Sequence, residues 1–418
     1  MADNNENKVL NVPHLRFPKF NGEWEKKRIS EFCTLLKGTG ISKDQLSTNG
    51  NPCILYGELY TKYKAEIINE VLSCTELDAN TLVKSKVNDV IIPCSGETAI
   101  DIATARCVPF DDVLLGSDLN VLRSNKINGS FLAYQLNGKR KYDIARVAQG
   151  VSVVHLYGEH LKNIVISIPV IEEQQKISRL LHLLDERIAT QNKIIEDLKK
   201  LKSAICEKLF SSPKDKQPQI RLYGFFGDWH FVRLSDICHR ICRKNTGEQC
   251  KQVLTIAAQY GLVSQEEFFN KNVASENLSG YYLLQKGDFA YNKSYSGDYV
   301  WGTVKRLDNY EQGVLSPLYI CFRPDPARVD SDFLIYYFES KKWHKTVANI
   351  AGEGARNHGL LNISVVDYFN TIHCIPSMDE QKQIAQIIGT LLSKIAREQR
   401  MLNCYAAQRQ YLLRQMFI

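Results

Sequence analysis

The sequence predicts an α+β protein in which two pseudo-repeated units of mixed helix and strand are joined by two long helices that form an antiparallel coiled coil. Three observations predict it: a sustained heptad, a second copy of that heptad 207 residues on, and a repeated phrase that opens each unit. In residues 169–212, Ile177, Leu184, Gln191, Leu198 and Ile205 fall at one seam position, and Leu181, Ile188, Ile195, Lys202 and Leu209 at the other. Residues 376–418 repeat this with Ile384, Leu391, Glu398, Tyr405 and Leu412, and with Ile388, Ile395, Leu402, Arg409 and Met416. The polar breaks coincide, Gln191 with Glu398 and Lys202 with Arg409, as expected of layers that set register at some cost in stability. Each copy opens with proline and a Glu-Gln pair (Pro169, Glu173, Gln174; Pro376, Glu380, Gln381), so proline ends the preceding segment and acid occupies the first helical turn.

In chain order, residues 1–11 are polar and read as a disordered tail. Residues 12–168 and 213–375 are the two units. The stretch from Pro13 to Cys33 and its counterpart from Pro218 to Cys238 share Pro13/Pro218, Arg16/Arg221, Phe20/Phe225, Gly22/Gly227, Trp24/Trp229, Arg28/Arg233, Ser30/Ser235 and Cys33/Cys238. The chain is therefore a tandem repeat of unit, helix, unit, helix. Val87–Pro93 and Lys286–Asn292 each read as a turn followed by a strand, and helical segments begin at Gly129 and Ser331. The middles diverge: Leu36–Thr81 has no clear match in Arg243–Ser279, as in one scaffold carrying two readers. A helix of about 40 residues is roughly 60 Å long. The short charged link at Ser211–Gln217 sets the second unit at the far end of the first helix, so the second helix runs back along the first.

Composition narrows the class. At 418 residues with 44% hydrophobic content, the chain can bury more than one core. No apolar run reaches the length of a membrane span and MADNNENK offers no apolar signal core, so a cytoplasmic protein is expected. The 12 cysteines are scattered with no Cys-x-x-Cys pair, as in a reducing compartment. Cys238, His239, Cys242 and Cys250 match no common zinc spacing, and no metal site is expected. A net charge of +7 is compatible with a nucleic-acid partner.

Catalytic signatures are missing from the sequence: no phosphate loop, no dinucleotide fingerprint and no His-Glu-x-x-His. Ser316-Pro317-Leu318-Tyr319 approaches an adenine-methyltransferase motif but has Leu where the second proline belongs. No catalytic residue is assigned. Basic, amide and aromatic residues are the better lead, since Arg and Asn read base edges while Lys and Ser hold phosphates. In the second unit these are Tyr291, Asn292, Lys293, Ser294 and Tyr295, with Arg356, Asn357 and His358 set between glycines. In the first unit, Lys139, Arg140, Lys141 and Gln149 stand in roughly corresponding places.

These phrases resemble one family. The repeated opening of each unit, YNKSYSGDYVWGTVKRL from Tyr291, SPLYICF from Ser316, EGARNHGLLNIS from Glu353 and the Pro-x-x-x-Glu-Gln helix starts are similar to the specificity subunits of type I restriction-modification enzymes. The resemblance implies two target recognition domains, 12–168 and 213–375, and two coiled-coil spacers, 169–212 and 376–418. It implies a subunit without catalysis or cofactor of its own that binds a bipartite double-stranded DNA sequence. Two methyltransferase subunits and the restriction/translocase subunits would be its partners, using S-adenosylmethionine, ATP and Mg. One departure stands out: the first unit has PCSGETA and QGVSV where the second has the NKSYS and GARNH phrases, so contacts do not transfer between units. The rival from another class is a coiled-coil adaptor whose units bind proteins; a self-sufficient DNA-modifying enzyme is the other.

Overall fold

A computed structural model describes residues 10–212, 214–257, 260–270, 277–294, 299–351 and 360–418. The chain divides into two compact units: unit 1 comprises residues up to Lys193 together with Gln399–Ile418, and unit 2 comprises Ile194–Glu398.

Unit 1 is organised by an antiparallel sheet of β1 (Thr34–Lys37), β2 (Asp89–Pro93), β3 (Arg106–Val108) and β4 (Leu119–Arg123), in the spatial order β1-β4-β2-β3. The turn into β2 needs a left-handed residue, and Asn88 supplies it at φ 81°. Helix α1 (Gly129–Asn137) is capped by Asn128, whose side chain accepts from the Phe131 amide, and α2 (Lys141–Val147) follows. A ribbon pairing Glu25–Arg28 with Val165–Ile168 leads into the long helix α3 (Ile171–Leu209). The divergent middle forms its own small sheet, in which Asn51–Ile54 pairs antiparallel with Ser73–Thr75 and parallel with Leu114–Leu115.

Unit 2 repeats the frame. Its sheet of β5 (Cys238–Arg240), β6 (Phe289–Asn292), β7 (Thr303–Arg306) and β8 (Ile320–Pro324) has the order β5-β8-β6-β7, again antiparallel. Gly287, at φ 89°, makes the turn that Asn88 makes in unit 1. Helix α4 (Ser331–Glu339) is capped by Asp330, α5 (His344–Ala348) follows, and a ribbon of His230–Arg233 with Ile372–Ile375 leads into α6 (Met378–Gln415). The middle differs as expected: Leu254–Ala257 pairs with Gly261–Ser264, and Tyr282–Gln285 with Gln312–Leu315, in separate two-stranded sheets.

Each unit closes its core with both long helices. In unit 1, Ile177, Leu181 and Leu184 near the start of α3 share a core with Leu412, Met416 and Phe417 at the end of α6. In unit 2, Leu209 and Phe210 at the end of α3 share a core with Ile384 and Ile388 near the start of α6. Start against end is the antiparallel sense. Each unit thus contains part of both long helices, with the helix ends buried against the sheet and helices beside them. None of the sixteen apolar seam residues is exposed. Phe417 and Phe210 play one role in the two units: Phe417 packs 5.3 Å from Phe131, and Phe210 5.4 Å from Phe333. Full burial of such a ring is worth about 2 kcal/mol.

The Glu-Gln pair that opens each long helix turns out to be a clamp, a more specific role than favouring the helix dipole. The Arg16 guanidinium donates twice to Glu173, at 2.8 Å each, and Arg221 donates twice to Glu380, at 3.1 and 2.9 Å. Both glutamates are buried. Gln174 donates to the Pro169 carbonyl and accepts from the Asn128 amide, while Gln381 donates to Pro376 and accepts from Asp330. Each pair therefore fixes the helix start to the opening phrase of its unit and to the cap of α1 or α4. Asn11, in the tail expected over 1–11, is bonded to the Trp24 backbone, and residues 1–9 lie outside the described residues.

Two of the polar breaks, Lys202 and Arg409, tie the helices to the units. Lys202 pairs with Glu339 at 2.9 Å, and Glu339 also meets Lys305. Arg409 donates to Asp185 at 2.5 Å and to Glu66, and Asp185 also accepts from the Tyr134 hydroxyl. Burial opposes the charge on Glu66, but Arg409 outweighs it and holds that carboxyl below its ordinary pKa; burial raises that of Asp185.

Candidate nucleic-acid interface

The two units bring the same pair of segments together. In unit 2, the stretch leaving β6 meets the chain that follows α5: Ser294 bridges Leu360, and the Leu361 amide donates to the Lys293 carbonyl at 3.0 Å. In unit 1, the stretch leaving β2, Ser95–Gly96, pairs with Val154–His155, just beyond the loop that follows α2. Gln149 and His155 exchange backbone hydrogen bonds of 2.9 and 2.7 Å, and so close a loop with Gly150 at φ 123° and Val151 almost fully exposed. A Cβ at Gly150 would lie 2.1 Å from the Val153 carbonyl, so this loop needs glycine.

The expected contact residues divide into three groups. Asn292, Lys293 and Ser294 are half-buried, and the Asn292 side chain accepts from the Ser294 amide, which fixes the turn. Tyr295, Arg356, Asn357 and His358 lie outside the described residues. Tyr291 is corrected: it is fully buried, stacked on Tyr368 with centroids 4.4 Å apart, and its hydroxyl donates to the Trp301 carbonyl, so it belongs to the core. The β6 sheet is covered on both faces, with Ala290 in one core and Tyr291 in another, so alternation from Phe289 to Tyr291 brings no side chain to water.

In unit 1, Lys139 and Gln149 are exposed. Arg140 is turned to structural use: its guanidinium pairs with Asp143 at 3.3 Å and donates to the Ile418 carbonyl at 3.1 Å. Lys141 is half-buried and lines a cavity of about 520 Å³ with Glu66, Arg106, Asp185 and Arg409. By element order, Lys139–Lys141 corresponds to the link between α4 and α5, and Gln149 to the chain that follows α5. The residues beside Gln149 that sequence reasoning missed are exposed His155 and Tyr157, whose rings stack 6.2 Å apart. The signal was present in the phrase PCSGETA, whose serine, Ser95, pairs with His155 across the ladder.

A second repeated feature lies beneath the sheets. Buried Asp89 receives Arg123 at 2.6 Å, and buried Asp288 receives Arg323 at 2.5 Å and Arg243 at 3.0 Å. Burial raises the pKa of Asp288, against the pull of the Gln285 amide and the two guanidiniums. Among the described residues no group of three or more His, Cys, Asp and Glu side chains is placed to hold a metal, and no helix is long and apolar enough to cross a membrane.

Residues 21–200 match the type I restriction modification DNA specificity domain. The type I restriction enzyme MjaVIII specificity subunit of Methanocaldococcus jannaschii is 24% identical over 399 residues, spanning 90% of this chain and 87% of that one. The putative MjaX specificity subunit of the same organism is 34% identical over 103 residues, 24% of each chain. The fold agrees with the S subunit of a type I restriction-modification system from M. genitalium, at TM-score 0.58 and 17% identity over 97% of this chain and 99% of that one. It also agrees with a chain from a structure described as complex assembly and conformational transition of the type I R-M system, at TM-score 0.51 and 16% identity, covering 96% of this chain and 98% of that one. Over residues 21–200 the chain is thus similar to the DNA specificity domain of type I restriction-modification systems, and over 90% of its length it is similar to one of their specificity subunits.

Proposed function

We propose that the chain is the sequence-reading subunit of a type I restriction-modification system, that it binds a bipartite DNA target with one half-site per unit, and that it performs no chemistry itself. One observation carries this reading: a single frame, with the same sheet order, the same buried Asp–Arg pair and the same Arg–Glu clamp, brings together unlike residues, Ser95–Gly96 with Val154–His155 in unit 1 and Lys293–Ser294 with Leu360–Leu361 in unit 2. Two readings of different sequence by one scaffold need that arrangement. Asn292–Ser294 and the segment around Arg356 would read one half-site, and Gln149 with its neighbours the other. The two long helices would set the unread gap between them. Methyltransferase subunits using S-adenosylmethionine, and translocase-nuclease subunits using ATP and Mg, would supply the reactions.

The test is selection from a random duplex library with the purified chain and its methyltransferase partner. The expected motif is two short blocks separated by a fixed gap of any sequence. A single contiguous motif, or no DNA retained, would overturn the reading and favour the adaptor.

A further inference from the structure

The edge strand of unit 2 is basic where that of unit 1 is not. Arg123 and Arg323 occupy the same place, each on the strand beside the edge and bonded to the buried aspartate. Across the ladder Arg123 pairs with Thr34 and Arg323 with His239. From those partners outward, unit 1 reads Thr34, Leu35, Leu36, Lys37, Gly38, Thr39, while unit 2 reads His239, Arg240, Ile241, Cys242, Arg243, Lys244. In unit 1, Leu35 packs on the core, beside a helix at Gly158–Lys162. In unit 2, His239, Arg240, Arg243 and Lys244 are exposed.

This face is held in place. Asp288 is fully buried and grips both Arg243 and Arg323, whose side chains are nevertheless 40% and 43% exposed. A buried carboxylate with two guanidiniums on it fixes their outward faces, which reduces the ordering cost of a further contact. The Lys244 ammonium sits 3.8 Å from the centre of the Tyr282 ring, and Arg240 is bonded to the same tyrosine. Lys286 stands alongside, paired with Glu311 at 2.7 Å, and an open groove of about 460 Å³ leads from Arg323 to Lys382 near the start of α6. Asp325 lies 3.8 Å from His239, and the five cations Arg240, Arg243, Lys244, Lys286 and Arg323 outnumber Asp288, Glu311 and Asp325.

We propose that this face of unit 2, formed by Arg240, Arg243, Lys244, Lys286 and Arg323, grips the sugar–phosphate backbone of the duplex without reading bases. The proposal rests on the DNA-reading function above. It makes the two units unequal: unit 2 would supply a larger share of the salt-sensitive, sequence-independent affinity. Fixed guanidiniums and an ammonium spread along an extended edge suit a row of phosphates better than a single anion.

The test uses the full-length chain and a mixed-sequence duplex of about 30 base pairs, with binding followed against KCl concentration. Arg240→Gln with Lys244→Gln removes two charges and keeps side-chain bulk. The slope of log affinity against log salt falls by about 2, because each lost phosphate contact removes about 0.9. Binding at about 0.1 M salt weakens tens of fold, equally for all sequences. Lys286→Gln, which touches only an exposed acid among the described residues, lowers the slope by about 1. The control, Lys199→Gln with Lys200→Gln, removes two exposed charges from the long helix and leaves the slope as in the wild type. A variant slope equal to that of wild type and control overturns the proposal while the DNA-reading function stands. So does a variant that keeps its slope but loses the methyltransferase partner, since the face is then a protein contact. A wild type that binds with no salt dependence overturns the DNA-reading function itself.

Discussion

Arg409 and Lys202 occupy equivalent positions of the two long helices, and the structure predicts that losing them has very different costs. Arg409 bridges Glu66 and Asp185, whose side chains are only 6% and 8% exposed. Arg409→Met leaves two largely buried carboxylates without their guanidinium, Asp185 keeping the Tyr134 hydroxyl and Glu66 the Asn137 amide. Breaking a buried ion pair in this way costs about 3–5 kcal/mol. Lys202→Met leaves Glu339 about a third exposed and still beside Lys305, so the loss is that of a partly solvated pair, about 0–1 kcal/mol. The expected gap is about 3 kcal/mol, roughly a hundredfold in the opening equilibrium. Hydrogen exchange of the full chain under native conditions measures it locally, through the amides of α1 in unit 1 and α4 in unit 2. Without the guanidinium, both carboxyls favour protonation in the folded state, so Arg409→Met recovers stability as the pH falls from 7 towards 5. Equal costs for the two variants, or a cost below about 1 kcal/mol for Arg409→Met, would refute the reasoning.

Two other predictions concern unit 2. His373 is fully buried between Tyr337 and Thr371, and burial depresses its pKa to about 3. The folded state therefore keeps it neutral while the unfolded chain protonates below about 6.5, so its contribution is intact above pH 6.5 and is lost as the pH falls towards 3, by about 2 kcal/mol at pH 5. Urea unfolding at pH 7 and pH 5 should show this loss in the wild type and a shallower one in His373→Phe; equal losses would contradict it. Arg356→Ala should relax recognition of one half-site and leave the other intact, as read by mapping methylated sites; relaxed recognition in both halves would contradict the assignment.

Much of the frame was legible in the sequence because it is written in local periods and repeated phrases. No apolar residue of the seam from Ile177 to Leu209, or of its twin from Ile384 to Met416, is exposed, and the turns at Asn88 and Gly287 begin the strands expected there. What escaped notice joins residues far apart in the chain. Asp89 with Arg123, and Asp288 with Arg323, are separated by 34 and 35 residues and meet only once the sheet has formed. Arg140 meets Ile418 across 278 residues, so its sequence neighbours Lys139 and Lys141 suggested a surface patch where the fold makes an anchor. Tyr291 was misplaced because a sheet buried on both faces carries no alternation to separate core from surface. The basic edge at Arg240–Lys244 lies just where the units diverge, and the ladder register confirms that unit 1 has Leu35, Gly38 and Thr39 in its place.

The most direct test of the central claim is to map methylated sites in cells carrying the chain with its methyltransferase partner, beside a variant in which both long helices are lengthened by one heptad. The account predicts two short half-sites unchanged between the two, with a longer gap in the variant. A contiguous motif in the wild type, or altered half-sites with an unaltered gap in the variant, would contradict it.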